Sequence, residues 1–310
     1  MKLGRQFLTF LILIVSSYSL FAGDISVKVE QTKQTGLFSL AVGSEVSLMS
    51  INPLMNPSLT GAAVFIGEAK HPDGQSAYEL YLNKQDQKIY YIKTADIDQT
   101  LSVGLNKQSV VNPDPQVGGT CTAYAINYFL HQTNLSGFQG TGELNQKISS
   151  EKGRSSLLVS AVNEYYLTPR HRYSIAGILN KYGKTFGFNC KKTIADSYDQ
   201  LREKILSQLK TGSPVMVSFN IGPNMYHSPF ALEMLNGQSP TMDDRLWIPR
   251  KIGERKFGGH TVVAAASFEF NNKTYLVMID SDWSEPRIWD MDLFLNSKTA
   301  LSEIEIMTCR

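Results

Sequence analysis

The apolar residues of this chain change their spacing twice, and the order of those changes limits the folds open to it. Short runs come first: EVSLMSI (45–51), AAVFIGEA (62–69), AYELYLN (77–83) and KIYYIKT (88–94), separated by PLMNPSLTG, KHPDGQS and KQDQ. Strands of this length at such regular intervals predict a small barrel. Helical spacing follows at 121–132, 155–166, 172–182 and 197–212. In the last of these Leu201, Ile205, Leu206 and Leu209 share a face, and Gly212 stands where the helix should end. A second group of strands closes the series: SPVMVSFNI, then HTVVAAASFEF and KTYLVMID joined through NNK. Helices first and sheet afterwards is an α+β arrangement. Between the two textures, residues 99–115 carry two prolines and little periodicity, and read as a linker.

The ends and the bulk composition set the compartment. Lys2 and Arg5 precede an apolar run from Phe7 to Leu20 and then LFAG, the pattern of a signal peptide cleaved after Ala22. The run is short for a membrane span, which needs about 20 apolar residues; a retained anchor is the alternative. Export predicts a periplasmic or secreted protein, with no membrane association once the leader is removed. Hydrophobic content of 42% permits a proper core, and a formal charge of +2 gives no reason to expect a nucleic-acid or acidic-membrane partner. Three cysteines, Cys121, Cys190 and Cys309, leave one unpaired in an oxidising compartment. Cys121 is the one placed for chemistry, so Cys190–Cys309 is the expected disulfide; three buried, reduced thiols are the alternative.

The stretch QVGGTCTAYAINYFL (116–130) shows why Cys121 stands apart. Two glycines permit a tight approach, Thr120 suits an N-cap, and Cys121 becomes the first helical residue. Tyr124, Ala125 and Tyr128 then lie on its face. A helix N-terminus stabilises negative charge and lowers a thiol pKa from about 8.5. Taken alone, such a cysteine is more often packing than nucleophile. His260 supplies a partner: in FGGHTVVAAAS it opens a buried strand, whereas His71, His131, His171 and His227 have no comparable setting.

GGTCTAYAINYFL resembles the nucleophile motif of bacterial papain-like cysteine peptidases, GGHTVVAAAS is similar to their histidine strand, and YLVMIDSDW to their Tyr-x-x-x-x-Asn-Ser-Trp strand. His260 follows Cys121 by 139 residues, within the roughly 130–150 of that family. The resemblance implies a papain-like fold over 116–310, with a helical half packed on an antiparallel sheet half. It implies Cys121 as nucleophile, His260 as base and then acid, Asp280 as the group orienting the imidazole, and Gln116 with the backbone N–H of Cys121 as oxyanion hole. Gln116 lies one residue closer to the cysteine than is usual in the family. An aspartate replaces the customary asparagine, and the extra residue before Trp283 makes Asp282 a rival orienter. A two-residue turn at Asn271–Asn272 would put His260 opposite Trp283 and both aspartates on the other face. A three-residue loop including Lys273 would favour Asp282, and a bulge or an open loop would restore Asp280.

The expected organisation is therefore a signal peptide (1–22), a small β-rich domain (23–98) that loosely resembles bacterial SH3-like domains, a linker (99–115) and a peptidase domain (116–310). The substrate class is protein or peptide, cell-wall peptide included, hydrolysed by a monomer without cofactor. No paired Cys/His spacing suggests zinc, and no twelve-residue loop suggests calcium. A peptidoglycan amidase of the CHAP type is the enzymatic alternative, although its histidine usually follows the cysteine more closely. A silent papain-like scaffold used for binding is the other. Met225, Tyr226, Phe230 and Trp247, in the loop 222–258, are candidates for part of the substrate-pocket wall, with packing as an equal alternative.

Overall fold

A computed structural model describes residues 27–31, 39–50, 59–70, 76–97, 106–135 (without 115 and 117–119), 175–220 (without 187 and 194), 230–234, 259–296 (without 284) and 304–310. Strands β1 (Val27–Gln31), β2 (Ser39–Leu40), β3 (Glu45–Ser50), β4 (Gly61–Lys70), β5 (Ser76–Asn83), β6 (Lys88–Lys93), β7 (Asn106–Lys107) and β8 (Ser109–Val111) precede the first helix, α1 (Cys121–Leu135). Then come α2 (Ile175–Phe186), β9 (Cys190–Thr193), α3 (Tyr198–Lys210), β10 (Val215–Asn220) and β11 (Ala231–Met234). The chain closes with β12 (Gly259–Phe270), β13 (Lys273–Ile279), β14 (Arg287–Asp290), α4 (Met291–Asn296) and β15 (Ile304–Cys309). The expected leader (1–22) and the expected helix at 155–166 lie outside the described residues.

Most pairing is antiparallel. A seven-stranded sheet runs β1-β3-β4-β5-β6-β11 with β8 also on β4, and a six-stranded sheet runs β14-β13-β12-β10-β15-β9. The described helices are few, and the mixed, largely antiparallel architecture agrees with the α+β expectation. Gly67 shows how β4 serves two partners on one edge. Its φ of 142° and the bulge beside it bend the strand, and a Cβ there would lie 2.9 Å from a Val110 methyl. The first part of β4 then pairs with β3 and its last three residues with β8.

Alternation along the strands builds three apolar clusters. Val64, Ile66, Leu80, Leu82, Ile89 and Tyr91 point from the first sheet into a core that also holds Ile126, Phe129 and Leu130 of α1 and Val263 and Val277 of the second sheet. Ala63, Phe65, Tyr81, Tyr90 and Ile92 line the opposite face of the first sheet. Across the second sheet, α3 buries Leu201, Ile205 and Leu209 against Val217, Val262 and Leu276. Each such side chain contributes about 1.5–3 kcal/mol. Helix α3 begins where its cap dictates, with Ser197 accepting from the Gln200 N–H at 3.1 Å.

The boundary between the two expected domains is bridged in several places. Residues 106–111, within the stretch read as a linker, form β7 and β8 and bury Val110 and Val111. Lys107 reaches the fully buried Glu79 at 2.5 Å, and Glu79 also accepts from the Tyr81 hydroxyl. Strand β11 falls within the stretch read as a loop (222–258) and pairs in parallel with β6. Phe230, ahead of β11, packs on Phe270 and Tyr275 with ring centroids 6.0 and 4.9 Å away, so it is a core residue rather than pocket wall. The other three residues proposed for that wall lie outside the described residues. Cys190 and Cys309 stand opposite one another in β9 and β15 and form the expected disulfide. Among the described residues no helix is long and apolar enough to cross a membrane.

Two expectations follow from this packing. A chain beginning at residue 116 would leave the α1 core face bare. It should show no cooperative thermal transition, while the chain from residue 23 should melt as one unit. His131 on α1 is 2% exposed, and burial pushes its pKa down to about 4. It stays neutral in the folded protein while the unfolded chain takes up its proton below about 6.5, so the fold loses stability as pH falls from there towards 4. The loss attributable to this group is on the order of 3 kcal/mol. Chemical denaturation of a His131→Gln variant should show a correspondingly flatter acid dependence.

Candidate active site

The segment entering α1 is clamped before the helix begins. The Tyr128 hydroxyl accepts from the Asp114 N–H at 2.8 Å and donates to the Asp114 carbonyl at 2.7 Å. Two residues on, the Gln116 N–H donates to the Ser281 carbonyl at 2.6 Å, and the Ser281 hydroxyl donates to Gln116 Oε1 at 2.6 Å. The carbonyl of Thr120 accepts from the N–H groups of Ala123 and Tyr124, as an N-cap carbonyl does, and Cys121 is the first helical residue. The residue is 9% exposed and its thiol is the free one among the three cysteines.

His260 comes to this thiol on β12, which lies between β10 and β13. The turn joining β12 and β13 is the two-residue one, with Asn271 and Asn272 at φ 49° and 59° and Phe270 paired to Lys273. Such φ values suit asparagine better than most residues. By itself that turn would set both aspartates on the wrong face. A bulge between Ala264 and Ala266 shifts the register by one, so that Val263 pairs with Ile279 and both aspartates return to the histidine's face. His260 Nε2 is then 2.8 Å from Asp280 Oδ1 and 3.3 Å from Asp282 Oδ2. Phe219, paired with His260 across β10, packs edge-on to the ring at 5.7 Å.

Cys121, Asp280 and the rival Asp282 are thus gathered around the His260 ring, and Gln116 is tied to the same aspartate turn through Ser281. The thiol is hydrogen-bonded to the His260 ring and to the Gly259 carbonyl, the latter at 3.8 Å. Burial pushes the Cys121 thiol up, but the hydrogen bond and charge of His260, the backbone of Thr261 and the Thr122 side chain outweigh it, and the net direction is down. Burial likewise pushes His260 down, and the charge and hydrogen bond of Asp280, the hydrogen bond to Cys121 and the charge of Asp282 carry it well above its ordinary value. Both shifts favour a thiolate beside an imidazolium.

Several supporting residues carry no recognisable sequence signal. Ser281 holds Gln116 to the aspartate turn, and it hides between two acidic candidates. Thr122, Thr261 and Ser218 form a hydroxyl chain, with contacts of 3.1 and 3.0 Å, that fastens the head of α1 to β12 and β10. A Cβ on Gly259 would meet only Phe219 O, at 3.9 Å, among the described residues, and what Gly259 contributes to the site is its carbonyl. Ligand atoms of His260, Asp280 and Asp282 lie within 4.8 Å of one another, but Nε2 sits at hydrogen-bond distance from Asp280, and a cation would have to break that bond. The chain matches no protein-family model and no curated protein.

Proposed function

We propose that the protein is an exported papain-like cysteine peptidase, with the strands of residues 23–98 as its SH3-like part, hydrolysing peptide bonds through a Cys121–His260–Asp280 triad. The observation that carries this reading is a buried imidazole bonded on one side to a carboxylate and on the other to the only free thiol, itself at the head of a helix.

The chemistry follows from those contacts. The Cys121 thiolate attacks the scissile carbonyl carbon, an S–C bond forms, and the carbonyl electron pair moves to oxygen. That oxyanion is met by the backbone N–H of Cys121 and the side-chain amide of Gln116, whose Oε1 is already taken by Ser281. As the C–N bond breaks, the imidazolium passes its proton to the departing amine and a thioester remains. Water then attacks the thioester, His260 removes its proton, and the thiolate is released with the carboxylic acid product. Asp280 fixes the ring through Nε2, leaving the other ring nitrogen to exchange the proton. Peptide cross-links of a cell wall are open to the same steps. No cofactor enters any of them.

Iodoacetamide at pH 6 tests the pairing. Cys121 should alkylate on the order of 10–100 times faster in the native protein than in His260→Ala, because an ordinary thiol is scarcely ionised at that pH. Equal rates would sink the nucleophile assignment. In a peptide-cleavage assay, Gln116→Ala should lower kcat by about 10²–10³ with KM little changed.

A further inference from the structure

We propose that Asp282 is a second positioning residue for His260, sharing Nε2 with Asp280 and holding the imidazolium against loss of its proton. The catalytic consequence rests on the peptidase reading; the contact does not.

Two carboxylates two residues apart converge here because the chain curls after β13. The Asp282 N–H donates to Asp280 Oδ1 at 3.0 Å and the Trp283 N–H to the Asp280 carbonyl at 3.1 Å. Continuing the bulged register from Val263↔Ile279 sets His260 directly across from Asp282, with Asp280 diagonal to it. Asp280 is 0% exposed and its Oδ2 has no hydrogen-bond partner among the described residues, so Oδ1 alone takes both donors. An asparagine at 280 would suffice to orient a neutral ring. Two acids on one nitrogen do something more, because they oppose its deprotonation by charge.

Among the described residues the charged surroundings give Asp282 no other ion-pair partner. His260 faces it from β12 and Asp280 from its own turn. On α1, Cys121 bonds the same ring and the Tyr128 phenol feels the charge of Asp280. Arg287, the nearest cation in the following strand, lies over the Trp283 ring, 3.6 Å from its centroid, and pairs with Glu285. With both aspartates ionised, the trio holds one imidazolium against two negative charges. Burial pushes Asp282 up to about 6, with His260 pulling it down and Asp280 pushing it further up. Above that pH two carboxylates grip the ring, and below it one does. Asp282 therefore extends the imidazolium form towards alkaline pH, and its own proton uptake relaxes the grip on the acid side.

Two measurements separate this inference from the peptidase reading. In Cys121→Ser protein, where no thiol contributes, ring-nitrogen NMR follows the His260 titration directly. Asp282→Asn should lower its midpoint by about one pH unit or more, and an inflection near pH 6 in the parent should vanish. In protein retaining Cys121, the alkaline limb of the alkylation profile should fall by the same amount. An unchanged His260 midpoint in Asp282→Asn, with Asp280→Asn moving it, would overturn the proposal. A shifted midpoint together with no His260-dependent alkylation would leave Asp282 in its role and remove the peptidase reading instead.

Discussion

One extra residue in β12 governs what His260 meets. Side chains alternate across a strand, so a register change of one exchanges every partner on the neighbouring strand. The tight Asn271–Asn272 turn and the bulge near Ala265 act in opposition: the turn would face His260 with Trp283, and the bulge substitutes the acidic pair. The ladder on either side keeps this arrangement rigid. Strand β10 pairs with β12 from Val215↔Ala264 to Asn220↔Gly259, and Phe219 stands edge-on to the ring. A histidine so placed has little freedom, and its carboxylate partners select which nitrogen is left for the thiol.

The electrostatics follow from that placement. Isolated, both a buried thiol and a buried imidazole would be pushed towards their neutral forms. Set together, with carboxylates behind the ring and a helix N-terminus beneath the sulfur, each stabilises the charge on the other. The environment that separates them from water is also what makes their mutual attraction large. Burial at this site is a cost that the pair turns to advantage, whereas at His131, which has no such partner among the described residues, the same burial holds the ring neutral.

The N-terminal strands belong to the physics of the site rather than standing apart from it. They supply one wall of the core against which α1 lies, and the Tyr91 hydroxyl donates to the Pro286 carbonyl, just beyond the aspartate turn. Strand β11 extends the same sheet by pairing with β6. At the far edge of the other sheet, the Cys190–Cys309 bridge joins the last strand to β9, which Asn180 of α2 also holds through its backbone N–H and carbonyl. Reagents that cut between the halves would therefore disturb the framework that carries both Cys121 and His260.

Periodicity, caps and spacing are properties of neighbours along the chain, and these the sequence determined by itself. The strands from 45 to 94, the helices beginning at Cys121 and Tyr198, the disulfide partners and the candidate set Cys121, His260, Asp280, Gln116 and Asp282 were all legible there. Other features depended on residues far apart. Val110 and Val111 looked like linker until the first sheet supplied a strand to pair with; β11 was hidden in a loop because its partner, β6, lies some 140 residues earlier. The choice between Asp280 and Asp282 turned on a bulge, a backbone event with no signature in a run of alanines. Tertiary structure decided it by bringing both to one nitrogen, because register and local charge belong to strands packed together and to no stretch of sequence alone.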